Sequence, residues 1–436
     1  MFVRKWAALG GLVIAAQASA LQPLDEFLRG ARTANADLAE ARAARRQAGA
    51  EGDVSLGRAL PRLSLRGAYT RNELETTLPQ GTGTVTLTPH DQLDGTATLE
   101  VPLVDLASFA RIGAARTLAR ASAAQELSTD LRVQALVSQD YYQLTANAAL
   151  VEASRRALDV ARASLRIAEE RHRAGSGALL DVDRARAEVE RNVQQLASSE
   201  LQVALVARSL QSLTGTSPEI EQGAPLADDL HDEPPLERFQ PRDEVIPALA
   251  AAIRSREASE QQARAQRLTL APSLSASVTE RATNTKGISG QETTWQAVVG
   301  LGWSFDLTTL AGIRVQDAAA DAARAREQRA RLAARDDIHR AWMTVKTDVA
   351  RSRSARVEAE VSARAAKLAL DRYEAGTATQ LDLLQAQRDA FAAAAARIQA
   401  DADLLNARAQ LRVAAGESLL EPGPPSRPPS PSPRGS

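Results

Sequence analysis

Residues 372–384 read Arg-Tyr-Glu-Ala-Gly-Thr-Ala-Thr-Gln-Leu-Asp-Leu-Leu, a brief interruption at Gly376 and Thr377 between two long helix-forming runs. Upstream, the 63 residues between Gly312 and Gly376 contain neither glycine nor proline and are rich in Ala, Leu, Arg and Glu. A helix of that length runs for roughly 90 Å, several times an ordinary globular helix. Downstream a second helix is expected over 377–415, so the segment is the tip of a long helical hairpin. The same pattern occurs 201 residues earlier. There 61 residues between Gly113 and Gly175 lack Gly and Pro, Gly175-Ser176-Gly177 breaks the run, and a helix is expected over 178–214.

The chain is therefore duplicated, which constrains the fold before any local reading. Asp105, Ile112, Gly175, Asp181 and Gly215 match Asp306, Ile313, Gly376, Asp382 and Gly416 at the offset of 201. Further upstream, Leu60-Pro61 matches Ala271-Pro272 at an offset of 211, and Asp37-Leu38 matches Ala248-Leu249 in the helix that opens each repeat. The first half thus carries ten extra residues, expected as a loop insertion around Leu78 to Pro89, where insertions are tolerated.

The hairpin helices carry coiled-coil spacing. Leu384, Phe391, Ile398 and Leu405 recur every seven residues, with Ala395, Ala402 and Ala409 between them. Val182, Ala185, Val189, Val193, Leu196, Val203, Val206, Leu210 and Leu213 give the three-and-four spacing in the first half.

Four segments alternate instead with period two. Leu63, Leu65 and Tyr69 oppose Ser64, Arg66 and Thr70; Leu93, Ala97, Leu99, Val101 and Leu103 oppose Asp94, Thr96, Thr98 and Glu100. In the second half Leu274, Ala276 and Val278 oppose Ser275, Ser277 and Thr279. The last run sets Trp295, Ala297, Val299, Leu301, Trp303 and Phe305 against Gln296, Gly300, Gly302 and Ser304. An apolar-out, polar-in dyad is the signature of a transmembrane barrel strand, although a half-buried soluble sheet gives the same alternation. Trp295 and Trp303 stand roughly 20 Å apart along a membrane normal if the strand is tilted, near the height of an apolar band with aromatic girdles. Four strands cannot close a barrel, and an open edge in lipid leaves backbone groups unpaired. Three copies would supply twelve strands and six helical hairpins.

The N-terminus agrees with export. Arg4 and Lys5, the apolar run from Trp6 to Ala16 and Ala18-Ser19-Ala20 form a signal peptide over 1–20, with the mature chain expected to begin at Leu21. No later stretch offers 18 consecutive apolar residues, so a membrane crossing must use strands. The absence of cysteine removes disulfides and a lipid attachment site. A formal net charge of -1 argues against a nucleic-acid partner. Residues 21–215 and 248–416 are read as the two repeats and the proline-rich 216–247 as their linker. The Pro- and Ser-rich residues 417–436 are read as a disordered tail.

In this order the elements resemble the TolC-like outer-membrane efflux proteins over about residues 21–416. The resemblance rests on Ala59-Leu60-Pro61-Arg62-Leu63-Ser64 and Ala271-Pro272-Ser273-Leu274-Ser275 at strand entry, and on Val101-Pro102-Leu103-Val104-Asp105 and Ser304-Phe305-Asp306 at strand exit. Arg372-Tyr373-Glu374-Ala375-Gly376 leading to Leu381-Asp382-Leu383-Leu384 completes it. It implies a mainly α chain with a small β part: duplicated helical hairpins forming a coiled-coil-like tunnel, plus four transmembrane strands per chain that complete a twelve-stranded barrel as a homotrimer. The barrel would sit in outer-membrane lipid and the hairpins in the periplasm. A periplasmic adaptor (membrane fusion protein) and an inner-membrane pump would be the partners, with an equatorial belt built from the linker.

The resemblance also places a periplasmic gate at Tyr373, Asp382, its repeat mate Asp181 and Gln385, and adaptor docking at the tips Gly175, Gly177, Gly376 and Thr377. Where relatives often hold an arginine and a second acid, this chain has Ala378 and Gln385, implying a less tightly locked, less acidic gate. Three copies of Asp382 converging at a pore mouth would favour cations and raise their apparent pKa. The competing explanation is local: an acid in a first helical turn is stabilised by the helix dipole, at about 0.3 to 1 kcal/mol. His90, His172, His231 and His339 are read as isolated, with no metal site, no cofactor and no catalytic motif. The rival reading is a soluble periplasmic coiled-coil adaptor or scaffold, against which two symmetric strand pairs argue.

Overall fold

Proline-free, alanine-rich sequence becomes helix on the scale expected, and the helices start earlier than the glycines suggest. In the computed structural model, which describes residues 21–80, 83–220, 226, 228–240, 243, 245–285 and 290–420, the helices are α1 (Leu24–Ala34), α2 (Ala36–Gly57), α3 (Leu106–Arg173), α4 (Leu179–Thr214), α5 (Pro247–Arg267), α6 (Leu307–Glu374) and α7 (Gln380–Ala414). The strands are β1 (Arg62–Arg71), β2 (Thr76–Gln80), β3 (Gly83–Thr88), β4 (Asp91–Val104), β5 (Ser273–Thr283) and β6 (Thr293–Gly302). The signal peptide and residues 421–436 lie outside the described residues, as do parts of the linker. No described helix is long and apolar enough to cross a membrane.

Helices α3 and α6 are each 68 residues long, about 100 Å at the standard rise. Both start immediately after an aspartate whose carboxylate caps the first turn. Asp105 Oδ1 accepts from the Ser108 amide at 3.0 Å and Asp306 Oδ1 from the Thr309 amide at 2.6 Å. The helices run straight through Gly113 and Gly312, because there glycine serves contact rather than termination. A Cβ on Gly113 would stand 3.1 Å from Gln261 Oε1, and one on Gly312 3.0 Å from Gln266 Nε2, so each glycine leaves room for a glutamine of α5.

The chain divides into two units. One holds residues 40–128 and 243–333, including every strand. Its main sheet has the order β1-β4-β5-β6, antiparallel throughout, so the two repeats meet at β4 and β5. The register aligns whole rows across the sheet. Leu63, Leu99, Val278 and Ala297 form an apolar row, and Ser64, Thr98, Thr279 and Gln296 the adjacent polar row on the opposite face. The ten-residue insertion is a second hairpin, β2 with β3, rather than a plain loop. Strand β6 stops at Gly302, so Trp303 and Phe305 lie beyond the pairing that their alternation suggested. The last pair is Ser273 with Gly302, and Pro272 has no N–H to extend it.

The other unit holds residues 21–39, 129–242 and 334–420 of the described chain. The opening helix of the first repeat is split at Asn35, where Nδ2 donates to the Leu213 carbonyl and Oδ1 accepts from the Leu38 amide, capping α2. The core gathers Phe27, Leu28, Leu38, Val133, Val137, Leu144 and Leu210. Leu420 joins it and the Leu419 amide donates to Gln134 Oε1 at 2.8 Å, so the chain is packed through residue 420 rather than becoming a tail at 417. The linker is pinned too: Leu230 and Phe239 pack on Val345, Val349 and Leu404, and Trp342 Nε1 donates to the Pro234 carbonyl at 2.9 Å.

The seam differs in detail from the sequence reading. On α7, Leu384, Ala402 and Ala409 are buried as expected, but Ala395, Phe391, Ile398 and Leu405 are half-buried, and Ala400, Leu404, Ala407 and Leu411 are buried as well. On α4 Val193 is exposed, and its place in the three-and-four spacing is taken by Asn192. A helix with neighbours on both flanks presents two seams, and apolarity alone does not say which one a single chain buries.

Candidate functional site

The two hairpin tips end alike. Gly175 and Gly376 take φ of 75° and 78°, a left-handed conformation that glycine adopts without penalty. In the second tip the Gly376 amide donates to the Tyr373 carbonyl and the Thr377 amide to the Arg372 carbonyl, the paired bonds of a Schellman turn. The first tip repeats this through Gly175 and Ser176. Gly177 has a separate reason to lack a side chain, since a Cβ there would stand 3.0 Å from Arg171 Cβ.

The returning helices differ. Thr379 opens α7 with a capping box: its hydroxyl accepts from the Asp382 amide at 3.2 Å, while Asp382 Oδ2 accepts from the Thr379 amide at 3.0 Å and hydroxyl at 2.7 Å. These bonds from Thr379 hold the Asp382 carboxyl below the usual aspartate range. The direction within one chain is thus opposite to the rise expected from converging copies. Asp181 occupies the same place on α4, but its N-cap is Ala178, which supplies no side-chain bond, and Asp181 pairs only loosely with Arg184 at 3.7 Å. Gln385 is exposed and donates to Asp389 at 2.9 Å along its own helix.

Tyr373 is 4% exposed and sits under the Arg171 guanidinium, 4.3 Å from its ring centroid. Arg171 Nη2 also donates to the Tyr373 carbonyl and, at 3.1 Å, to that of Glu374. One side chain from the first hairpin therefore satisfies two terminal carbonyls of the second and stacks on its aromatic ring. Burial raises the Tyr373 pKa; Arg171 opposes this and Asp181 adds to it, which places all three groups within electrostatic reach. Gln380, the first residue of α7, is 2% exposed, and neither its side-chain nitrogen nor its oxygen is hydrogen-bonded.

The linker carries a second ionic cluster. Arg408, 8% exposed on α7, donates to Asp228 Oδ2 at 2.9 Å, to Asp228 Oδ1 at 3.1 Å, to the His231 carbonyl at 2.8 Å and to Glu233. Burial disfavours its charge, but the bonds to Asp228 and Glu233 outweigh burial and its pKa is raised. The isolated reading of His231 is corrected here: Asp228, Asp229 and His231 place ligand atoms within 4.8 Å of one another. Arg408 already neutralises Asp228 and lies 2.9 Å from His231 Nε2, so a cation would face a fixed positive charge.

In the sheet unit, Trp295 is 75% and Trp303 73% exposed, alongside exposed Leu63, Leu65, Tyr69, Val299 and Leu301. Trp303 Nε1 donates to the Leu270 carbonyl at 3.0 Å, leaving its ring face open. Such a surface is unsuited to water but suited to lipid.

Sequence reasoning singled out the tip glycines, Tyr373 and Asp382, which lie at the two turns, and did not single out Arg171 or Arg408. Arg171 aligns with Arg372 in the duplication, which is the only signal it offered.

Among the described residues, the strand set has an apolar exposed face and no partner beyond β1 and β6, and the same chain carries duplicated helical hairpins, a combination that suits a subunit of an outer-membrane channel. The chain belongs to the outer membrane efflux protein family, whose profile matches residues 28–216 and 245–417. Among curated proteins none matches it in sequence. Solved structures share the fold. The outer-membrane channel OprN is 22% identical with a TM-score of 0.76, covering 91% of this chain and 90% of that one. The CmeC channel of Campylobacter jejuni is 17% identical with a TM-score of 0.79, covering 95% and 93%. The outer-membrane protein VceC of Vibrio cholerae is 17% identical with a TM-score of 0.77, covering 90% and 96%. The protein is an outer-membrane efflux channel with a periplasmic helical part, which sets aside the soluble adaptor reading.

Proposed function

We propose that three copies join β6 of one chain to β1 of the next, closing a twelve-stranded barrel, and that their hairpins form a helical conduit. The conduit receives cargo from a periplasmic adaptor and an inner-membrane pump. The observation that carries this reading is the sheet itself: among the described residues four strands end in two unpaired edges while one face stays apolar, and lipid tolerates such strands only in a closed ring. In this reading Asp382, Asp181, Tyr373 and Gln385 line the periplasmic gate, and the turns at Gly175, Gly177, Gly376 and Thr377 meet the adaptor. Arg171 holds the two tips of one chain together in the closed state, and opening requires its release from Tyr373. Mass measurement of the detergent-solubilised protein tests the assembly. Three chains per particle are expected, and a single chain would overturn the proposal.

A further inference from the structure

Midway along the hairpins, helices α3, α4, α6 and α7 enclose a cleft of about 650 Å³ within one chain. This lies within the usual range of small-molecule sites, roughly 300–1,000 Å³. Its apolar lining is made of small side chains, among them Ala153, Ala157, Ala363 and Ala394, with Val160 and the half-buried ring of Phe391. Around them stand five arginines, at 156, 191, 356, 388 and 397, against the two carboxylates Glu188 and Glu360.

The pairing of those charges decides what the cleft can hold. Glu188 is buried and shared: Arg388 donates to it at 3.0 and 2.6 Å, and Arg191 at 2.9 Å. Glu360 is held by Arg364 on its own helix. Arg356 is committed to Asp401 at 2.9 Å and to the Asp228 carbonyl at 3.0 Å. Arg156 bonds only the Glu152 carbonyl of its own helix, at 3.2 Å. Among the described residues neither Arg156 nor Arg397 faces a carboxylate. The cleft therefore combines an apolar lining with a surplus of positive charge that the chain itself does not neutralise.

We propose that this cleft binds a small amphipathic monoanion, its apolar body against Phe391 and the alanines and its carboxylate or sulfonate on the guanidiniums of Arg156 and Arg397. A neutral compound of the same shape gains the apolar contact but leaves the guanidiniums without a partner, so it binds more weakly.

The chain has no cysteine, so Ala394→Cys introduces a single thiol into the cleft of the full-length protein. The rate of maleimide labelling in outer-membrane preparations then reports occupancy. The probes are 8-anilino-1-naphthalenesulfonate and N-phenyl-1-naphthylamine, which differ by the sulfonate alone. The sulfonate probe is expected to protect the thiol at about tenfold lower concentration, equivalent to about one charge-assisted contact of 1.4 kcal/mol. Adding Arg156→Gln and Arg397→Gln should abolish that advantage while trimer recovery stays unchanged. Should the double variant fail to assemble, Arg397→Gln alone, on an exposed side chain, should reduce it. Equal protection by both probes, protection that survives the arginine changes, or a thiol that maleimide cannot reach in the assembled protein would each overturn the proposal.

Discussion

Arg171 shows how much can rest on one side chain at a helix end. Its guanidinium covers the Tyr373 ring and donates to the last two carbonyls of α6, those of Tyr373 and Glu374. Under the closed-gate reading, Arg171→Ala should increase the fraction of time that single channels conduct in planar bilayers. Arg171→Lys should do nearly the same, because an ammonium cannot stack and donate in a plane at once. Unchanged gating in both variants would leave Arg171 a packing residue. Asp382 gives a second test. Its carboxyl is held below the usual range by Thr379, so its support for the start of α7 is present above the ordinary aspartate pKa. That support is lost as pH falls through the lowered value. Asp382→Asn should reduce cation selectivity and block by multivalent cations without disturbing assembly. If recordings show neither change, the residue is a helix cap and nothing more. The place of Asp382 could be read from its distance to Gly376. The cap itself depends on Thr379, which the first repeat replaces with Ala178, and that difference is invisible to a reading that treats the repeats as equal.

At the scale of the element, long helices and strand faces were legible because their periods are set by backbone geometry. Ends and partners were less so. The helices begin just after Asp105 and Asp306, residues matched in the duplication but read there only as landmarks. Gly113 and Gly312 suggested boundaries, yet they mark close passage of α5. The exposed Val193 and the half-buried Phe391 stood on the expected seam because apolarity does not say which flank of a helix is buried; Phe391 lines the cleft between the hairpins. The turns make a sharper prediction. Gly376 has φ of 78° with open space around its Cα, so Gly376→Ala should cost about 1 kcal/mol through backbone strain alone. Gly52→Ala lies mid-helix, also in open space, and should stabilise by up to about 1 kcal/mol. Thermal unfolding that moves both variants in the same direction would contradict this account.

For the whole molecule, one strand pair per repeat followed from the duplication, whereas the pairing of the repeats through β4 and β5 and the ionic tie of Arg408 to the linker did not. That tie joins residues 180 positions apart, and only tertiary packing brings them together. The end of the chain offers a matched pair of truncations. Removing residues 421–436 should leave stability and assembly intact. Removing residues 417–436 also takes Leu420 from the core and the partners of Gln134, and should cost about 2 kcal/mol or more. Equal behaviour of the two truncations in heat or detergent challenge would mean that residues 417–420 contribute nothing.

The two open edges of the sheet also carry a genetic consequence. If the ring closes with three copies, a chain whose β1 or β6 edge is damaged yet still able to join one neighbour withdraws two sound chains from use. In a cell making sound and damaged chains in equal amounts, only about one ring in eight would be free of a damaged member, assuming random mixing. Edge defects should therefore behave as dominant lesions. Defects confined to one chain's interior, such as loss of the Arg408 tie, should be masked by a second good copy of the gene.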